Sequence, residues 1–257
     1  MEQSYHRYAL DIRDMAKYAA FRAREQGQIR ATAFKQCAED GQVRRMDLSS
    51  LRDVDVDAHD SPITDVAVDG CEHRYLLCGG SDGAIYIHDT ANFSGSPRFC
   101  SRLVASVPRS ARHAHVGSVE SVQWYPLDHG IFTTSGMDRK LKVWDANEMR
   151  PADEYAVEGR VYCHDMCAHP GGSGGGGAQL VALGTSINHV RLIDVRTGAN
   201  THELRGHAEA VIAVRWANHD ANTLASGGAD GRVYLWDVRQ AKSCLRYLDY
   251  RYILELR

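Results

Sequence analysis

The chain has 257 residues, 44% hydrophobic and 25% charged, which is ordinary for a globular protein and enough to bury a sizeable core. A net charge of −3 supplies no basic field for undirected nucleic-acid binding, and no apolar run is long enough to span a bilayer. The N-terminus carries charges early and lacks the apolar core of a secretory signal. The seven cysteines are scattered without a CxxC pair, so they read as reduced thiols of cytosol or nucleus.

Residues 4–25 carry a helical period, with Tyr5, Tyr8, Ile12, Met15, Ala16, Ala19 and Ala23 stepping by three and four along one face. A second short helix is predicted from Thr32, a candidate N-cap, to Asp40. Residues 1–41 therefore read as a helix–loop–helix arm, either packed on the body that follows or offered to a partner. Gln42–Leu48 is a short strand candidate. In Asp53–Asp60 acids alternate with Val54 and Val56. That pattern suits a solvated edge strand, because the Gly and distal Glu of a calcium loop are missing.

From His59 onward one pattern recurs. His59, Asp82 and Asp89 repeat the spacing of His115, Asp138 and Asp145, and of His207, Asp230 and Asp237. In all three, 23 positions separate His from the turn Asp, and Trp144 or Trp236 (His88 in the first) stands six beyond it. A degenerate copy, VALGTSINHVRLID at 181–194, has Ile187 in place of the turn Asp and Ile193 in place of Trp. The units span about 59–89, 115–145, 161–194 and 207–237. Within the last, alternation places Ile212, Val214 and Trp216 on one strand face. It sets Val233 and Leu235 against Tyr234 and Trp236 on the next strand. An outer strand is expected near Leu103–Val107. A lone unit could not bury its apolar face, so stacked units are implied.

Several clusters suggest chemistry and are better read as structure. Arg109, Arg112, His113 and His115 form a basic loop. Cys163, His164, Asp165, Cys167 and His169 are dense, but strand alternation sends His164 to the opposite face, away from a shared tetrahedral site. Gly171–Gly177 is a flexible tip without the Lys-Ser/Thr of a P-loop, and no HExxH appears. Neither catalytic residues, a metal nor a cofactor are expected.

The repeats resemble the WD-repeat family, whose blades are four-stranded sheets arranged radially in a β-propeller. The resemblance implies an all-β propeller of four recognisable blades over 42–249, an incomplete seven-blade ring, and a divergent tail at 250–257. It also implies two structural networks, His115, Thr134, Asp138 and Trp144, and His207, Ser226, Asp230 and Trp236. The runs RYLLCGGSDGAIYIHD (74–89), VESVQWYPLDHGIFTTSGMDRKLKVWD (119–145) and GADGRVYLWDVRQA are more specific than the repeat itself. They are similar to the Cockayne syndrome A branch of WD-repeat proteins, substrate receptors of cullin–RING ubiquitin ligases in transcription-coupled nucleotide excision repair. That resemblance implies a nuclear, non-enzymatic receptor that docks on the ligase's damaged-DNA-binding adaptor and works with transcription-coupled repair proteins. No sequence-specific nucleic-acid contact and no membrane are expected. The family's docking motif, Trp-Asp-x-Arg, stands here as Trp236, Asp237, Val238 and Arg239, with a weaker copy at Asp194 and Arg196. Ile12, Met15 and Ala19 of the arm complete the implied adaptor contact. A generic WD-repeat scaffold, for histones or complex assembly, is the alternative.

Overall fold

The computed structural model describes residues 52–54, 59–95, 99–126, 128–167, 180–217, 220–240 and 244–249. The helical arm, with Ile12, Met15 and Ala19, the strand candidate at 42–48, the Gly171–Gly177 tip and the tail at 250–257 lie outside these residues. What is described is all-β, in four antiparallel sheets taken in chain order, as a β-propeller builds its blades.

The first blade contains β1 (Arg52–Val54), β2 (Ile63–Val68), β3 (Tyr75–Gly80), β4 (Ile85–Ser94) and β5 (Phe99–Val107). β1 pairs in parallel with β5 and forms the sheet's outer edge, in the order β1-β5-β4-β3-β2. The second blade is β6 (Val119–Trp124), β7 (Ile131–Gly136), β8 (Lys140–Asp145) and β9 (Arg150–Ala156). The third is β10 (Val161–Met166), β11 (Leu180–Thr185), β12 (His189–Asp194) and β13 (Ala199–Arg205). The fourth is β14 (Val211–Trp216), β15 (Thr223–Gly228), β16 (Arg232–Asp237) and β17 (Cys244–Asp249). The degenerate third unit thus builds the same four-stranded sheet as its neighbours. Pairing geometry and core-facing residues suffice where Asp and Trp are gone.

Turn chemistry sets the β3–β4, β7–β8 and β15–β16 hairpins. Gly83 and Gly231 occupy positive φ at 96° and 74°, where a side chain is strained, and Arg139 takes the same left-handed place at 63° in the second blade.

One face assignment is corrected. In β14 a bulge lies between Val211 and Ala213. The extra residue shifts the alternation, so Val211, Val214 and Trp216 share the buried face while Ile212 is 53% exposed. The pattern of β16 is simpler: Tyr234 and Trp236 are buried, and Val233 and Leu235 point the other way.

Consecutive blades are joined through their inner strands. At the first junction Val122 N donates to Asp65 Oδ2 at 2.9 Å and Trp124 Nε1 donates to Ala67 O at 3.1 Å. At the second, Met166 N donates to Gln123 Oε1 at 2.8 Å, and Gln123 Nε2 donates to Asp165 Oδ1 at 3.0 Å. At the third, Trp216 N donates to Asp165 Oδ2 at 2.6 Å and Trp216 Nε1 to Asp165 O at 3.0 Å. Apolar clusters fill the space around these bonds, and Trp144, Trp236 and Phe132 are among the fully buried side chains. Among the described residues every buried side-chain nitrogen and oxygen has a partner. Such satisfaction matters because an orphaned buried group costs about 1–3 kcal/mol.

Candidate functional site

Each blade has two ends with different chemistry. At one end lie the loop histidines and turn aspartates. In the second blade Trp144 Nε1 donates to Thr134 Oγ1 at 2.8 Å, Thr134 Oγ1 lies 2.7 Å from His115 Nε2, and His115 Nδ1 lies 2.9 Å from Asp138 Oδ2. The fourth blade repeats this: Trp236 Nε1 to Ser226 Oγ at 2.8 Å, Ser226 Oγ to His207 Nε2 at 2.8 Å, and His207 Nδ1 to Asp230 Oδ1 at 3.1 Å. The chain of donors is self-consistent. The hydroxyl accepts from the indole and donates to Nε2, which leaves Nδ1–H to donate to the carboxylate.

Burial raises the Asp138 carboxyl, but the hydrogen bond to His115, with those from the Val116 and Lys140 amides, brings it below its ordinary range. Asp230 is held low in the same way, against burial, by Ala208 N, His207 and Arg232 N. Both histidines have every ring nitrogen engaged, so the His–Asp pairs serve the fold and present no free base.

The other blades solve the same problem differently. In the first, Cys78 occupies the hydroxyl position, His59 Nε2 meets His88 Nε2 directly at 2.8 Å, and Asp82 Oδ1 accepts from Ser61 Oγ at 2.7 Å. In the third, Arg191 occupies the position of Tyr234 and pairs with Glu158 and Glu203. The run Gly79-Gly80-Ser81-Asp82-Gly83 has the letters of a nucleophile elbow. It forms the β3–β4 hairpin, without the strand-to-helix turn that elbow needs.

The dense group at 163–167 splits between two junctions. Both ring nitrogens of His164 meet hydroxyls of the second blade, Thr133 Oγ1 at 2.9 Å and Ser135 Oγ at 2.8 Å. Cys163 faces the fourth blade through Val214 O, and Asp165 bridges the two junctions, accepting from Trp216 N of the fourth blade and Gln123 Nε2 of the second. Burial pushes the His164 imidazole down to about 3, so it is neutral at physiological pH.

At the opposite end lie the four closing aspartates, and each forms an Asx turn, at the end of its strand for Asp145, Asp194 and Asp237 and within β4 for Asp89. Asp89, Asp145, Asp194 and Asp237 accept N–H bonds from Ala91, Asn147, Arg196 and Arg239 at 2.8–3.0 Å. A second partner distinguishes them. Arg74 reaches Asp89 from the β2–β3 hairpin with Nε at 2.9 Å and Nη2 at 2.6 Å. Thr197 Oγ1 donates to Asp194 at 3.0 Å, and Arg196 is exposed beside it.

Arg239 folds onto its own motif aspartate, with Nε to Oδ1 at 3.0 Å and Nη2 to Oδ2 at 2.7 Å. The fork holds the Asp237 carboxyl below the usual range, helped by the Arg239 amide. The supporting turn, Val238–Gln240, is 3₁₀-helical. Val238 is buried in the core and its N–H donates to Asn222 O at 2.9 Å. Arg239's side chain is nonetheless 56% exposed. The result is a cationic plane fixed at the rim by a buried carboxylate. Asp194 and Arg196 hold the same end of the neighbouring blade.

Sequence spacing missed the junction residues Asp65, Gln123 and Asp165, whose partners lie 42 to 57 positions away. A polar residue in an otherwise apolar inner strand was the available signal.

Three segments, 50–89, 107–145 and 198–237, match the family model described as WD domain, G-beta repeat. These three segments are WD repeats. The matches pass over β10, β11 and β12 of the third blade, in keeping with its lost turn Asp and Trp.

Among relatives, the chain is similar to WD repeat-containing protein ATCSA-1 of Arabidopsis thaliana, 32% identical over 236 residues, which is 90% of this chain and 51% of that protein. It is also similar to ribosome biogenesis protein ytm1 of Aspergillus niger, 28% identical over 213 residues, 74% of this chain and 41% of that protein. YTM1 of Podospora anserina is 26% identical over 205 residues, 72% and 41% of the two chains. The chain thus spans about half, or less, of these relatives' length. WD repeats are in general non-catalytic surfaces for protein contact, and the bonded state of the His–Asp pairs accords with that.

Proposed function

We propose that this WD-repeat chain is a non-catalytic substrate-receptor subunit of a cullin–RING ubiquitin ligase in transcription-coupled nucleotide excision repair, acting in the nucleus. Its docking surface on the damaged-DNA-binding adaptor is the rim that carries Asp237 and Arg239, with Asp194 and Arg196 alongside and Ile12, Met15 and Ala19 of the N-terminal segment as a second contact. The observation that carries the reading is the Arg239 fork. Asp237 neutralises and orients it through Nε and Nη2, while more than half of the side chain remains open to a partner. A planar guanidinium so held has little rotamer freedom left to lose when it meets a carbonyl- or carboxylate-lined pocket. The 32% identity to the Arabidopsis protein across 90% of this chain supports the same reading.

The test is co-expression with the adaptor, followed by size-exclusion chromatography with light scattering. Arg239→Ala should abolish co-elution while leaving the far-ultraviolet spectrum unchanged. Undiminished binding by that variant would remove the rim from the interface.

The second reading, a general assembly scaffold, draws on the similarity to ribosome biogenesis proteins over 72–74% of this chain. It is favoured if the adaptor is ignored by the wild type as well.

A further inference from the structure

Arg239 has a counterpart in the first blade, at a position the docking motif does not specify. The motif puts its arginine two residues past the closing aspartate, and in the first blade Ala91 stands there. Asp89 nonetheless carries a fork of the same shape, supplied by Arg74 from 15 positions earlier. Register pairs Tyr75 of β3 with Asp89 of β4, which brings Arg74 beside the carboxylate. Arg74 Nε and Nη2 lie 2.9 and 2.6 Å from Oδ1 and Oδ2 of Asp89, against 3.0 and 2.7 Å for Arg239 on Asp237. The two carboxylates are alike as well. Each is buried, and each accepts at Oδ1 the amide two residues on, from Ala91 or Arg239. The fork is the chief cause that holds either carboxyl below its ordinary range. Both forks use Nε and Nη2, so Nη1 stays outside the pair, and the Arg74 side chain is 43% exposed.

The hairpin around Arg74 is braced to present it. Buried Asp69 accepts from Cys71 N and Glu72 N at 2.9 Å, and its own N–H donates to Tyr75 O at 2.9 Å. Arg74 O accepts from Thr90 N at 2.9 Å and from Thr90 Oγ1 at 2.6 Å. His73, the residue before Arg74, takes a φ of 54°, a conformation that surrounding contacts must impose on a non-glycine residue. The Tyr75 ring lies 5.2 Å from the guanidinium carbon. Backbone and side chain are thus fixed in advance, and the guanidinium plane has little rotamer freedom left to lose on contact. Asp145 of the second blade differs, accepting from the Asn147 and Glu148 amides.

We propose, on the reading that the Arg239 rim docks on the ligase adaptor, that Arg74 is a further docking residue. From the first blade it offers a backbone carbonyl or carboxylate of the adaptor the same fixed guanidinium edge that Arg239 offers from the fourth. The docking rim then runs from Arg74 through Arg196 to Arg239, and its first member is supplied across a hairpin instead of by the motif.

The experiment measures adaptor affinity of the full chain by biolayer interferometry, with site-directed photo-crosslinking as the readout of contact. Arg74→Ala should weaken binding about tenfold or more with an unchanged far-ultraviolet spectrum. Arg74→Lys should recover little of the loss, because a point charge does not reproduce the fork. A benzophenone side chain placed at exposed Ala91 leaves both fork residues intact and should crosslink to the adaptor. The same group at Arg205, exposed at the opposite end of the third blade, should not. If Arg239→Ala abolishes binding while the Arg74 variants bind as the wild type does, Arg74 only clasps its hairpin. The proposal then falls and the Arg239 reading stands. An affinity loss without a crosslink at Ala91 would overturn it in the same way. A wild type that ignores the adaptor would overturn both together.

Discussion

Nε2 of His59 lies 2.8 Å from Nε2 of His88, and that single bond replaces the hydroxyl relay that links His115 to Trp144 and His207 to Trp236. The replacement follows from Cys78. A thiol is a weak donor and acceptor, so an indole at position 88 would lose the oxygen that receives its N–H. An imidazole at 88 reaches its partner directly. The two departures of the first blade therefore compensate for each other. In a double-mutant cycle, His88→Trp should destabilise the fold by about 1–3 kcal/mol through its unmet N–H. Adding Cys78→Ser should recover part of that loss, with a coupling energy of about 1 kcal/mol. Urea unfolding of the four proteins measures it, and strict additivity would refute the compensation.

Ser226 Oγ serves two buried groups at once, Trp236 Nε1 and His207 Nε2. Ser226→Ala strands both, and the expected loss is about 3 kcal/mol, well beyond that of an exposed serine. Ser186, an exposed residue of the degenerate blade, is the comparison, since among the described residues its Oγ meets Arg160 N alone. If the two alanine variants unfold at the same urea concentration, the relay contributes nothing to stability.

His164 makes the protein acid-sensitive in a definite window. Its folded value, about 3, lies below the ordinary 6.5 because burial disfavours the cation. The unfolded chain therefore takes up a proton that the folded chain refuses. Its contribution is fully present above 6.5 and is lost as pH falls from there toward 3, with a slope of at most about 1.4 kcal/mol per pH unit. Asp165, raised chiefly by burial, acts in the opposite sense. Asp138 and Asp230, held low, lose their contribution only below the ordinary carboxylate range. The clean quantity is the difference between wild type and His164→Gln, whose amide can still meet Thr133 and Ser135. That difference should shrink steadily from pH 6.5 to 4. Parallel stability curves would mean that His164 is not buried as a neutral ring.

How much of this could be read from the sequence depends on the range of the contact. His115, Thr134, Asp138 and Trp144 fall into one set by spacing alone, because a hairpin converts fixed separations into fixed neighbours. The structure brings them within 2.7–2.9 Å of one another. The Asp–Arg pair at 237 and 239 is local in the same way, though its bidentate fold-back is not evident from the letters. The rest was hidden for physical reasons. The bulge after Val211 exchanges Val211 for Ile212 on the buried face, and both are equally aliphatic, so composition carries no trace of it. The Ser61–Asp82 bond stands in for a His–Asp pair whose spacing was intact. Junction partners such as Asp65 and Val122 depend on how sheets stack, which no periodicity within either strand encodes.

Glycines at equivalent places should respond oppositely to one substitution. Gly79 lies in a filled slot, and the branched side chain of Gly79→Val would collide with Val119 and Val122, whose Cγ1 atoms already come within 2.9 Å of the first added carbon. Both valines are buried, so the first two blades must separate or strain. Overpacking of this kind costs about 1–3 kcal/mol. Gly227→Val meets only Ala213 Cβ at 3.9 Å, and a β-branched residue also suits an inner strand better than glycine does. This variant should unfold at the same denaturant concentration as the wild type or a higher one. Measured in denaturant, Gly79→Val should lower the midpoint while Gly227→Val leaves it unchanged or raises it. Equal destabilisation would mean that the face around Gly227 is already covered.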